Sequence, residues 1–224
     1  MNNTHLFITG LLSLMLTLSA CSDAPQGDKV TITDAQEAAT DTAGQTFIVD
    51  TTTSKIRFTG NGVGKNHPGT FPLSSGTVAI ANNQITGGAF TINVAAMEVE
   101  EKADMFQTKL KGHLLSGDFF DAGKFGTAKF EITKVEPYAA NGTDTSIVAG
   151  ANFNISGNLT IKDATKNITF PAKVDQDGNT LKARGNFNID RTQWKMNYGN
   201  DKTLGDKFIS ETVNIELDLE AKKN

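Results

Sequence analysis

Residues 211–220 read ETVNIELDLE: Val213, Ile215, Leu217 and Leu219 alternate strictly with Asn214, Glu216, Asp218 and Glu220. A period of two places alternate side chains on opposite faces of an extended strand, so this run has one apolar and one wet face. The pattern recurs along the chain. Ile56 and Phe58 carry it in SKIRF, Val78 and Ile80 in GTVAI, and Phe90, Ile92 and Val94 in GAFTINV. It continues as Phe130 and Ile132, then Phe153, Ile155, Leu159 and Ile161. Ile168, Phe170, Ala172 and Val174 follow, then Leu181, Ala183, Phe187 and Ile189. Turn-forming clusters separate the runs at 81–84 (ANNQ), 140–144 (ANGTD) and 175–179 (DQDGN).

One-sided apolar strands in series predict an all-β antiparallel domain of roughly eight strands, as a sandwich or a closed barrel. Gly87, Gly88, Gly157 and Gly185 fall inside the strand runs. Interior glycines weaken flat pairing and permit bulges and sharp curvature, which favours the barrel.

One segment breaks the period. In ADMFQTKLKGHLLSG, Phe106, Lys109, Leu110, His113 and Leu114 recur at helical spacing, predicting one short helix crossing between strands. Gly112 costs such a helix ~1 kcal/mol relative to Ala, so tertiary contacts must hold it. The stretch continues as SGDFFD, which places His113 five residues before Asp118 and next to Phe119 and Phe120.

The start of the chain has a different character. Leu6–Leu18 is an uncharged apolar run, too short for a bilayer span of ~20 residues but suited to the core of a signal peptide. It ends in LSAC, residues 18–21, which resembles a bacterial lipobox with Cys21 as the acylated residue. The opening MNNTH lacks the Lys or Arg expected of a signal, so ordinary secretory cleavage or a membrane-anchoring helix stand as alternatives. The expected division is a signal peptide at 1–20, a lipidated Cys21 with a flexible polar tether to 45, and the β domain at 46–224. Two or more acyl chains on Cys21 would give stable membrane anchoring. Ser22 in place of Asp favours the periplasmic face of the outer membrane.

Chemistry is constrained by what the chain lacks. Cys21 is the only cysteine, so an acylated Cys21 leaves none for a disulfide, a metal cluster or a thiol nucleophile. There is no GxSxG elbow, no phosphate-binding glycine loop and no His pair at ligand spacing, so neither catalysis, a metal nor a cofactor is expected. The net charge of −4 and the absence of a basic stretch argue against nucleic acid. His67, in GKNHPGT, reads as an exposed turn residue, and EVEE at 98–101 as a solvated charge run. His113 admits three roles: an inward-packed helix residue, a polar contact at a cavity mouth, or a base acting on a bound lipid.

A closed barrel of eight strands has room for its own side chains or for one small ligand. Strands of eight to ten residues run ~30 Å, which suits an extended apolar chain better than a compact sugar. Pattern alone leaves open whether the interior is hollow.

The motifs resemble those of the YceI-like family of bacterial envelope proteins. The resemblance is carried by VDTTTSKIRFTG (49–60), HPGTFPLSSGTVAIANNQITGGAFTINVAAM (67–97) and KLKGHLLSGDFFDAGKFGTAKFEITKV (109–135). It continues in GNLTIKDATKNITFPAKV (157–174) and NFNIDRTQWKMNYG (186–199). Gly126 stands where the family often has Pro, and Asp163–Ala164 where it often has a second turn Gly. The resemblance implies a lipocalin-like barrel with a helix across it, holding a polyisoprenoid or fatty-acid-like amphiphile. The family's HL..DFF and R..W positions fall on His113, Leu114, Asp118, Phe119, Phe120, Arg191 and Trp194. With the inward strand and helix positions, the candidate ligand-binding set adds Phe58, Phe90, Ile92, Leu110, Phe130, Phe153, Ile155, Phe170 and Phe187. The expected function is sequestration or transport of an isoprenoid or acyl-chain lipid by a membrane-tethered periplasmic lipoprotein. The alternative is an envelope stress or assembly module with a solid core and no ligand.

Overall fold

The computed structural model describes residues 25–39, 44–62, 64–101, 103–141 and 145–224. The expected signal peptide and Cys21 lie outside these residues, as does the tether before 25 and at 40–43. No helix among the described residues is long and apolar enough to cross a membrane.

The strands are β1 (Asp28–Lys29), β2 (Thr31–Asp34), β3 (Gln45–Val49), β4 (Lys55–Gly62), β5 (Lys65–Phe71), β6 (Leu73–Ala81) and β7 (Gln84–Asn93). They continue as β8 (Glu98–Val99), β9 (Thr127–Pro137), β10 (Phe153–Ile161), β11 (Ala164–Asp177), β12 (Thr180–Asp190) and β13 (Ile209–Lys223). Among the described residues the single α-helix, α1 (Asp104–Leu115), falls between β8 and β9, and two 3-10 turns, Arg191–Trp194 and Lys202–Lys207, separate β12 from β13.

All the alternating runs are strands of one antiparallel barrel of eight strands, with extra strands at its edges. Neighbours around it are successive stretches of chain, and the last strand, β13, lies beside β12 and closes the barrel on β3 and β4. Three of the eight staves are interrupted. Both β3 and β4 pair with β13, Val49 opposite Ala221 and Ile56 opposite Leu217. In the same way β4 and β3 pair with β5 and β6, which lie either side of Pro72. The third is β7 with β8, which pair with β6 and β5.

Turn chemistry follows the sequence. Asn82 and Asn83 both take positive φ (52° and 59°), the geometry of a two-residue hairpin turn whose twist matches that of its strands. The strand glycines answer to packing as well as curvature. At Gly157 the pairing of β10 with β9 slips by a bulge, and a Cβ there would meet the Phe130 ring at 2.3 Å.

Residues 25–39 correct the tether expectation, because they form an ordered strap on the barrel. The β11–β12 ladder runs only from Asp177↔Thr180 to Ala172↔Gly185. Beyond it β1 pairs in parallel with β12 at Phe187 and Asn188, and β2 pairs antiparallel with β11 at Lys166–Thr169. Pro171, which has no N–H to give a ladder, stands at the changeover. Val30 is buried in the strap and Ile32 packs on the core. Beyond the strands, Gln36 exchanges hydrogen bonds with the Asn158 side chain and the Ala39 N–H donates to the Ile132 carbonyl. Two apolar residues give no readable period, yet they suffice where the backbone can fill an existing gap between strands.

Candidate functional site

The inward faces do not fill the barrel. They enclose a cavity of about 600 Å³, inside the range of roughly 300–1,000 Å³ usual for small-molecule sites. Its wall is the apolar register read from the sequence: Ile56, Phe58, Val78, Phe90, Ile92, Phe130, Ile155, Phe170, Phe187, Val213, Ile215, Leu217 and Leu219 all face it. Phe90, Phe130, Ile215 and Leu217 are only half-buried although they point inward, because the space beside them is open. Three ring contacts carry the aromatic wall from Phe90 to Phe130 (6.2 Å), Phe170 (6.0 Å) and Phe187 (4.1 Å, stacked).

One end of the barrel carries α1, both 3-10 turns and the β4–β5 and β10–β11 hairpins. On α1, the helical face read from sequence (Phe106, Lys109, Leu110, His113 and Leu114) is the face that lines the cavity. None of the helix is fully buried and its N-cap, Ala103, offers no side-chain cap. The helix is therefore held by contacts around it: Gln107 Nε2 donates to the Val99 carbonyl at 2.6 Å, and Lys111 pairs with Glu98 at 2.9 Å.

After α1 the chain folds back. Phe119 and Phe120 both turn into the cavity wall, Phe120 edge-on to Phe71 at 5.5 Å. His113 borders the opening with its ring edge-on to Phe119 (5.1 Å) and Tyr198 (4.7 Å), and its Nε2 lies 3.0 Å from Asp118 Oδ2. Lys162, held at φ 55° in the β10–β11 turn, donates to the Phe119 and Lys195 carbonyls and ties the turn beneath this segment.

On the other side of the opening, His67 is a half-buried residue of β5 and not an exposed turn residue. Its Nδ1 lies 2.6 Å from Glu101 Oε1, its Nε2 3.1 Å from the Gly62 carbonyl, and its ring stacks on Phe106 at 6.0 Å. Lys65 also reaches Glu101, at 2.9 Å, and lies 4.3 Å over the Phe106 ring. Glu101 is therefore not part of a solvated charge run. Burial pushes its carboxyl up, but the hydrogen bonds and charges of Lys65 and His67 outweigh this and hold it below the usual carboxylate range.

Of the candidate residues, Phe58, Phe90, Ile92, Leu110, His113, Leu114, Phe119, Phe120, Phe130, Ile155, Phe170, Phe187 and Arg191 all line the cavity. Asp118, Phe153 and Trp194 do not. Asp118 points outward to its His113 contact. Phe153 opens β10 opposite Pro137 and Ala172, at the far end of the barrel. Trp194 is fully buried, and its indole N–H donates to the Leu159 carbonyl at 2.9 Å, which pins a 3-10 turn to β10.

Arg191 borders the space without offering a free fork. Its Nε donates to the Ser210 carbonyl (2.8 Å), Nη1 to Met196, and Nη2 to Tyr198 and Ile209 (2.9 Å each). Burial pushes its guanidinium down from the ordinary value, against the charges of Glu211 and Asp190. Tyr198, Lys207 and His67 line the cavity without having been candidates. They sit in irregular or interrupted stretches, where neither period points to a face.

The site suits an extended apolar molecule with one modest polar end: a long greasy wall, with His67, Lys109, His113, Tyr198 and Lys207 gathered at the opening. Among the described residues no group of three or more His, Cys, Asp or Glu could hold a metal ion.

The YceI-like domain matches residues 47–221. A UPF0312 protein of Pseudomonas paraeruginosa is 43% identical over 67 residues, covering 30% of this chain and 29% of the relative. A UPF0312 protein of Pseudomonas fluorescens is 31% identical over 113 residues, covering 50% and 52%. The chain thus aligns with about half or less of the length of these relatives. Among solved structures, BcnA of Burkholderia cenocepacia shares the fold at 23% identity and a TM-score of 0.59, over 77% of this chain and 98% of BcnA. A polyisoprenoid-binding domain from Saccharophagus degradans, implicated in plant cell wall breakdown, does so at 13% identity and 0.58, over 84% and 100%.

Proposed function

Because this chain belongs to the YceI-like family, whose domain spans residues 47–221, we propose that it binds a long amphiphile, a polyisoprenoid or fatty-acid-like lipid, and sequesters or transports it. The observation that carries this reading is the hollow apolar interior of about 600 Å³, open beside a ring of polar side chains. Each CH₂ withdrawn from water contributes ~0.8 kcal/mol, so several isoprene or acyl units give ample gross driving force. The wall offers no fixed pattern of donors, so selectivity resides at the mouth. The polyisoprenoid-binding description of the Saccharophagus structure supports the ligand class. The solid-core alternative loses ground to the same cavity.

We further propose that the protein works as a lipoprotein acylated on Cys21, at the periplasmic face of the outer membrane. The LSAC motif supports this placement.

The test is uptake of a fluorescent polyprenyl probe by the wild type and by Ala183→Phe. Ala183 lines the cavity, so the added ring occupies ligand space. Saturable uptake that the variant loses while keeping its circular dichroism supports the reading. Equal uptake by both places the probe elsewhere and refutes it.

A further inference from the structure

The described residues include six exposed large hydrophobics: Ile48, Met105, Phe106, Ile147, Tyr198 and Leu204. Four of them, Met105, Phe106, Tyr198 and Leu204, lie on α1 and on the segment between β12 and β13, the elements that frame the cavity opening. Contacts carry the rim around. Phe106 stacks on His67, His67 reaches the Gly62 carbonyl, Gly62 pairs with Ile209, and His113 closes the far side against Tyr198.

Basic side chains stand among these apolar tips. Lys109, Lys202 and Lys207 are exposed, and none has a carboxylate partner among the described residues. Of the carboxylates on and beside these elements, Glu101 is taken by Lys65 and His67 and Asp118 by His113, Asp201 accepts from Thr203, and Asp104 and Asp206 stand on α1 and in the second 3-10 turn.

Resting on the lipid-binding reading, we propose that this rim is a membrane-docking surface for a bilayer with anionic headgroups. Met105 and Leu204 enter the interface, the lysines meet lipid phosphates, and the cavity opens directly onto the acyl region. Apolar tips flanked by lysines are the composition that binds anionic interfaces. Because the rim is continuous with the apolar wall, a lipid passes from bilayer to barrel without crossing water.

The test uses Cys21→Ser protein with phosphatidylcholine vesicles, with and without phosphatidylglycerol. Binding is expected to the anionic vesicles only, to weaken in high salt, and to fall about tenfold in Met105→Glu/Leu204→Glu. Ile48→Glu, away from the rim, should change nothing. Vesicle binding that ignores the rim substitutions overturns the proposal. So does a concentration-dependent dimer that the double variant disperses, since the rim would then be an interface between copies. Polyprenyl uptake in detergent separates the two readings. The double variant should keep it, because neither residue lines the cavity, whereas loss of uptake by the wild type would count against the cavity's function and not the rim's.

Discussion

His67 Nδ1 and Glu101 Oε1 lie 2.6 Å apart, joining β5 to the short segment that leads from β8 into α1. Lys65 holds the same carboxylate from the other side, and the Glu100 N–H donates to the Pro68 carbonyl at 2.9 Å. The start of a helix with no side-chain cap is thereby clasped to the barrel.

This clasp predicts an acid response. Glu101 titrates below the usual carboxylate range when folded, so its contribution is present above the unfolded-state value and is lost as pH falls through the lower folded-state one. Hydrogen-exchange protection across 103–110, taken relative to the intrinsic rate at each pH, should therefore fall on acidification in the wild type. Glu101→Gln should show low protection there already at neutral pH, with a flatter response to acid. An unchanged profile in the variant would show that the clasp does not hold the helix.

The Phe130 ring and Gly157 make a second testable pair. A Cβ at 157 would sit 2.3 Å from the ring, so Gly157→Ala must push a cavity-wall aromatic off its rotamer. Overpacking of this kind costs about 1–3 kcal/mol, visible as a lower melting temperature. Adding Phe130→Leu should recover most of the loss, because the clash goes with the ring. Additive losses in the double variant would contradict the packing account.

The strap predicts local loosening. Val30→Asp puts a charge into the seam between β11 and β12, where Val30 is buried. Exchange should rise at 166–169 and 187–188, which pair with the strap, and hold at 172–177, where β11 meets β12 directly. Uniform change across all three segments would mean that the strap is part of the barrel's global stability.

Much of this architecture was legible because the barrel is built on a period of two. ETVNIELDLE became the long β13, and its four apolar residues all reach the cavity. The helical face of Phe106, Lys109, Leu110, His113 and Leu114 was equally readable, because it needed only the switch of period. What the pattern hid are features made by neighbours distant in sequence. His67 and Glu101 look like a loop histidine and a surface acid until the fold brings 67 against 101. Arg191 and Trp194 look like binding residues, yet their donors go to backbone carbonyls. The hollow interior was beyond the alternation too, since the same inward faces could have met across the barrel.

Anchoring has its own check. After a high-salt wash that removes rim contacts, Cys21→Ser should move the protein from the membrane to the soluble periplasmic fraction, whereas unchanged fractionation would rule out Cys21 as the anchor.

The most direct measurement concerns the cavity itself. Protein purified from its native host should be extracted with organic solvent and the extract weighed by mass spectrometry against the protein. One class of long-chain amphiphile is expected at near-stoichiometric amount, lost from the Ala183→Phe variant. Lipid-free protein that also takes up neither polyprenyl nor acyl probes would contradict it.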